Sequence, residues 1–406
     1  MSPDTTFPLP RGWRPSAYQA AVALSGVSAA LGLGREGLIL HRLGVSAAND
    51  TLQFALSVTY TIALLGEPLR LGALNLLQRR LGSSLWTVIA TGIVLAAALM
   101  TLLYGAGGAG MPLSWLVAAG AGGAANLFFA WVLPRSQRAG PFLPVHFVTV
   151  MPNIVMVVAL LLPARSDEAF AARVVGLFLM APLLQLVALA LLRRFGDHPP
   201  LTPAATAADG LRPIAWHAAG AAGGQAAQLF MRTALLAAPE GTLTAFAMTL
   251  RVTESLRAIF VDSYIASRVR GWAAGERTTS SLVDGRRLTA GALSAVAGAG
   301  LLIAVFWTSS GRWISPTSAM LVMGAYLVLA LRVRYQSLNT SAQPMGLVKR
   351  ITVLEIAAAA GVGVLSLVPG APLATLPWLV YVAKPAVGLQ LVSSRTEGEP
   401  SLAPEA

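Results

Sequence analysis

Residues 32–80 read GLGREGLILHRLGVSAANDTLQFALSVTYTIALLGEPLRLGALNLLQRR. The flanks of this stretch are apolar enough to sit in a bilayer, yet it carries Arg35, Glu36, Asp50, Glu67 and Arg70. A charge at membrane depth is expensive, so it lines a cavity or pathway instead of facing lipid. A second stretch, residues 224–270, is built the same way, and the rest of the chain reads as support for these two.

Composition agrees. Of the 406 residues 55% are hydrophobic and only 11% charged, with a mean hydropathy of +0.67. A soluble domain is nearer one quarter charged. The apolar runs are about 20 residues long and do not alternate strictly, which selects helices over barrel strands. The expected fold class is therefore all-α, a polytopic membrane protein of about 12 transmembrane helices. The absence of cysteine excludes disulfides, thiol catalysis and thiolate metal sites. The four histidines match no metal-ligand spacing. No GxxxxGK[ST] loop is present, and no catalytic triad or metal-assisted constellation is readable. The expectation is a protein that is no enzyme, with no metal and no cofactor.

Candidate spans fall at 17–40, 51–77, 84–104, 112–134, 141–163, 170–192, 213–237, 243–267, 288–308, 316–333, 347–368 and 371–391. The first is read as a retained span, not a cleaved signal peptide, because the polar residues after it look functional. Alternate loops together with both termini hold 19 basic residues, against four in the opposite set. By the positive-inside rule both termini are cytoplasmic. This distribution also explains the net charge of +12 without nucleic acid. The organisation follows: an N-terminal six-helix lobe over 1–195, a cytoplasmic linker over 196–212, a C-terminal six-helix lobe over 213–392 and a disordered tail over 393–406.

The halves resemble each other. An ungapped shift of 197 residues places Arg35 on Arg232 and Gly44 on Gly241. RSQRAGP ending at Pro141 and QSLNTSAQP ending at Pro344 are corresponding polar turns. Six spans per half make a parallel repeat, with a site expected between the halves near the midplane. Of the basic residues inside spans, Arg35, Arg70, Arg232, Arg251 and Arg257 cluster in spans 1, 2, 7 and 8, while Lys384 can snorkel to the interface. Arginine suits bidentate phosphate binding, so the cluster suits a pyrophosphate head group. Internal ion pairs are the competing explanation: Arg35 with Asp50 or Glu36, Arg70 with Glu67, Arg251 with Glu254. Asn126, Asn153 and Gln225 read as helix–helix hydrogen-bonding groups.

Four segments carry a resemblance. They are LGLGREGLILHRLGVSAANDTLQFAL from residue 31, QLFMRTALLAAPEGTLTAFAMTLRVTESL from residue 228, PFLPVHFVTVMPNIVMVVALLLP with RVVGLFLMAPLLQLVALALLRR over 141–194, and RVRYQSLNTSAQP from residue 332. In order and spacing the chain resembles the lipid II flippase family (MurJ/MviN) of the multidrug/oligosaccharidyl-lipid/polysaccharide (MOP) exporter superfamily. The resemblance implies a V-shaped transporter of two lobes. Its implied substrate is a polyprenyl-pyrophosphate-linked saccharide, a lipid II-like or exopolysaccharide precursor, flipped from the cytoplasmic to the periplasmic leaflet of the bacterial cytoplasmic (inner) membrane. The family's cavity arginines carry over to Arg35, Arg232 and Arg251, and its Asp after the first turn to Asp50. Arg70 lies in the corresponding region of span 2. With Glu254 these six are the candidate substrate-binding residues.

The chain departs from the family. The family usually has 14 spans, and the last two help to hold the lipid tail. Its acidic residue before the span-7 arginine is Met231 here, and the one entering span 11 is Thr340. These departures leave three further readings: an exporter of another glycan lipid or amphiphile, a transport-inactive scaffold for glycan-synthesis enzymes, and a polyprenyl transferase, for which no catalytic acid or metal site is found. Expected partners are the lipid-linked substrate, membrane lipids and glycan-synthesis enzymes.

Overall fold

The computed structural model describes residues 17–66, 83–107, 111–139, 142–193, 207–257, 345–368, 376–388 and 390. Among them every regular element is helical and none is a strand. The helices are α1 (Ala17–Leu43), α2 (Ala47–Leu64), α3 (Ser83–Gly107), α4 (Leu113–Ala139), α5 (Phe142–Leu161), α6 (Asp167–Arg193), α7 (Ala207–Leu236), α8 (Thr242–Arg257) and α9 (Met345–Leu367). The last, α10, opens at Leu376–Trp378, passes through a π-helical turn Leu379–Ala383 and runs on to residue 388.

Ten of the twelve expected spans coincide with these helices. The spans expected at 288–308 and 316–333, the inner parts of spans 2 and 8, and the tail lie outside the described residues. So does most of the expected linker, although α7 already begins at Ala207 inside it. Among the described residues five stretches are long and apolar enough to cross a bilayer: Ala23–Leu43, Ile89–Ala106, Leu113–Leu133, Asp167–Leu192 and Lys349–Leu367. Large apolar side chains such as Leu95, Leu102, Val158 and Val364 point outward, while Arg35, Glu36, Asp50, Gln53 and Arg232 are buried. A hydrocarbon surround dictates that inversion, because it solvates leucine and not a guanidinium. The chain is an all-helical polytopic membrane protein.

Packing follows the small and the kinking residues. Helix α4 slots between α2 and α6 because its Gly123 faces Ile62 and its Gly122 faces the Phe178 carbonyl. A β-carbon at either glycine would come within 2.7 Å of those atoms. Pro152, inside α5, has no N–H to offer the Val148 carbonyl one turn earlier. Gln185 of α6 supplies the missing donor, with Nε2 3.1 Å from that oxygen. A helix can keep such a break within a membrane only when a neighbour satisfies the freed carbonyl. Helix α1 packs on α5 and α2 on α4, while α7 packs on α9. Both α1 and α2 also reach α8, and α2 reaches α7, so these four helices form the junction between the halves.

Candidate functional site

The junction begins with two glycines. Gly44 ends α1 and Gly241 precedes α8, with φ of +66° and +84°, the left-handed region that suits glycine. They are the pair that the 197-residue shift superposes. Each lets the chain reverse tightly, so α2 and α8 start close together. The two helix starts then cap each other. Asp50 of α2 accepts from the Gly241 N–H at 2.7 Å through Oδ2, and from the Thr244 N–H and hydroxyl at 2.7 and 2.6 Å through Oδ1. In return Glu240 Oε1 accepts from the Ala47 N–H at the start of α2, 2.9 Å away. Carboxylates at helix N-termini satisfy orphan donors and oppose the positive end of the helix dipole.

Two turns further along α2 the charges gather. Arg35 of α1 donates through Nη2 to Glu36 Oε1 at 2.7 Å and through Nη1 to Asn153 Oδ1 at 3.2 Å. Asn153, beside the α5 proline, is held by donating to the Ser28 carbonyl and hydroxyl of α1. Arg251 of α8 faces the same Glu36 oxygen at 3.6 Å, and its guanidinium carbon lies 3.2 Å from the centre of the Tyr60 ring. Arg232 of α7 donates through Nη1 to the Ser57 carbonyl of α2 at 3.3 Å. Tyr60 lies within electrostatic reach of Arg251, Arg35, Arg232 and Glu36. Its ring meets Phe178 edge-on.

Among the described residues the structure therefore brings Arg35 and Arg251 onto one carboxylate, with Arg232 on the Ser57 carbonyl of α2 beside them, three guanidinium groups to one acid. Arg35 Nε, Arg251 Nε, Glu36 Oε2 and the Tyr60 hydroxyl are buried without a hydrogen-bond partner among the described residues. Of the expected ion pairs, Arg35 with Glu36 forms and Arg35 with Asp50 does not. Asp50, expected with the arginines, turns its carboxylate to the α8 N-terminus instead, seven residues before Ser57. Arg70 and the side chain of Glu254 lie outside the described residues. Sequence reasoning misses Tyr60; a tyrosine in an apolar helix carries no signal until the arginines stand around it. Asn153 does the helix bridging expected of it and also holds Arg35.

No protein-family model matches the chain, and no curated protein matches it in sequence. Solved structures do. The lipid II flippase MurJ in its inward closed conformation matches over 93% of this chain and 87% of its own, with a TM-score of 0.65 at 14% identity. The MATE multidrug transporter DinF-BH matches over 96% and 97%, with a TM-score of 0.60 at 13% identity. An outward-facing multidrug resistance MATE transporter of the MOP superfamily matches over 95% and 97%, with a TM-score of 0.51 at 14% identity. The chain shares the fold of these proteins. In that fold the arginine cluster sits where the two halves of this chain meet, with α1, α2 and α5 on one side and α7 and α8 on the other.

Proposed function

We propose that the chain is a membrane transporter that moves an amphiphile with a dianionic head. The substrate that fits best is a polyprenyl-pyrophosphate-linked saccharide, moved from the cytoplasmic to the periplasmic leaflet of a bacterial cytoplasmic membrane. The observation that carries this reading is that, among the described residues, three guanidinium groups gather with one carboxylate at the junction of the halves. Leaving such charge unpaired in a membrane interior is costly, and a pyrophosphate diester would neutralise it. Its oxygens match the planar fork of arginine. A cationic amphiphile would meet repulsion at the same place. The shared fold with the flippase and the multidrug transporters supports transport and leaves a second reading, an exporter of a different anionic amphiphile.

The test is flipping of a labelled polyprenyl-pyrophosphate-linked saccharide in liposomes at matched protein content. Arg232→Lys keeps the charge and loses the fork. Loss of one charge-assisted hydrogen bond, about 1.5 kcal/mol, slows flipping about tenfold. Arg232→Ala slows it further. Normal flipping by the lysine variant would remove the phosphate reading and leave Arg232 as a helix-pairing group. No flipping by the unaltered protein favours the scaffold for glycan-synthesis enzymes.

A further inference from the structure

Helix α2 carries a row of polar residues on the face it turns to the other half. Counting about 100° per residue from Asp50, Ser57 lies about 20° round the helix, Gln53 about 60° and Tyr60 about 80° in the same sense. The contacts fix where that face points. Asp50 reaches the start of α8, the Ser57 carbonyl accepts from Arg232 of α7, and the Tyr60 ring lies under Arg251 of α8. Gln53 stands among these three, one turn from Asp50, one from Ser57 and two from Tyr60. It is buried, at 3% exposure.

A buried amide in a membrane helix ordinarily bonds a neighbouring helix. Other polar groups of this chain do so. Asn153 of α5 bonds Ser28 and Arg35 of α1, and Gln185 of α6 bonds the Val148 carbonyl of α5. Lys384 of α10 does not snorkel to the interface; its Nζ meets Glu355 Oε2 of α9 at 2.6 Å. Gln53 departs from this pattern. Among the described residues it bonds only its own helix, donating through Nε2 to Asn49 Oδ1 at 3.4 Å. Asn49 is buried and anchored in its turn. Its Nδ2 donates to the Gly44 carbonyl at 2.7 Å, and its backbone N–H to Ser46 Oγ at 3.2 Å. An amide offers two donors and two acceptor lone pairs, and this one long bond uses a single donor. A braced carboxamide with hydrogen-bonding capacity to spare therefore stands at the junction.

This inference rests on the reading of the arginines as a pyrophosphate site. The part of such a substrate next to the pyrophosphate is its first sugar, joined to it directly. Along the axis of α2, Gln53 lies about 6 Å from Ser57 and about 10 Å from Tyr60, on the side of the caps. A sugar that extends from the arginines along α2 toward the caps meets Gln53 first. Sugar hydroxyls both donate and accept, as an amide does. We propose that Gln53 hydrogen-bonds the first sugar of the transported lipid and tells a glycosylated polyprenyl pyrophosphate from a bare one, with Asn49 positioning it. A polar group built to bond a hydroxyl discriminates against a ligand that lacks one, because it is then left unpaired.

The test is binding of two lipids to the purified full chain in detergent: a polyprenyl-pyrophosphate-linked saccharide, and the same polyprenyl pyrophosphate without sugar. The unaltered protein binds the first more tightly. Gln53→Leu keeps a side chain of similar size and removes its hydrogen bonds. It weakens binding of the glycosylated lipid about tenfold and leaves that of the bare lipid unchanged. Gln53→Asn keeps the amide on a shorter stem and gives a smaller loss, again confined to the glycosylated lipid; it decides the matter where the leucine variant fails to fold. Equal weakening for both lipids, or no change for either, would overturn this inference and leave the pyrophosphate reading standing. So would an unaltered protein that binds the bare lipid at least as tightly. An unaltered protein that binds neither lipid would remove the pyrophosphate reading itself, and this inference with it.

Discussion

Tyr60 shows how a side chain without charge becomes part of a charged site. Its ring stacks under Arg251 at 3.2 Å, an arrangement worth about 2 kcal/mol when desolvated. Its hydroxyl is buried, and no group among the described residues meets it in hydrogen-bond geometry. Tyr60→Phe keeps the ring and removes only that hydroxyl. Deleting an unsatisfied buried group is neutral or raises stability by about 1 kcal/mol. If the hydroxyl donates to the head group of the substrate, flipping falls about tenfold in the same variant, since about 1.4 kcal/mol is a factor of ten. Equal or higher thermal stability with reduced flipping is therefore the expected signature. Unchanged flipping would confine Tyr60 to packing.

At the scale of elements, the reciprocal caps join two helices of different halves by four hydrogen bonds of 2.6–2.9 Å. Three of them end on Asp50, whose carboxylate is buried. From the expected positive-inside orientation we propose that this contact lies on the outer side of the membrane, two turns of α2 from the arginine cluster, and holds that side shut. Asp50→Ala removes three acceptor contacts and leaves the start of α8 uncapped, at a cost of about 1–2 kcal/mol. Cysteine at Ser57, a buried position of α2 beside Arg232, reports the consequence in a chain that has no native cysteine. Labelling of Ser57→Cys by an impermeant thiol reagent added outside should rise when Asp50→Ala is present. Equal labelling in both backgrounds would show that the caps do not shut this side. Gly241 has no room for change in the same contact: its φ is +84°, and a β-carbon there would collide with Val45.

At the scale of the whole molecule, orientation rests on loop charge. Single cysteines at Ala106 and Ala274 fall in an expected outer and an expected inner loop. The impermeant reagent should label the first in intact cells and spare the second until the membrane is opened. The reverse pattern would invert the topology and place the Asp50 and Glu240 caps on the cytoplasmic side.

The fold class was legible because a bilayer imposes a simple rule on sequence. Every span must be long, apolar and helical, so the runs around α3, α4 and α6 declare themselves by composition. The two-glycine correspondence was legible too, since a tight turn after a helix calls for glycine at Gly44 and at Gly241 alike. The partners of each charge were not legible. Asp50 and Arg35 lie 15 residues apart and share no contact, because the carboxylate finds backbone donors of α8 that sequence spacing does not bring near. Glu355 and Lys384 meet only because two glycines of α7 admit α9 and a π turn rotates α10. The cost of burying charge determined from sequence alone that these residues must be paired or used. Which of the two holds for each was decided by packing between segments far apart in the chain.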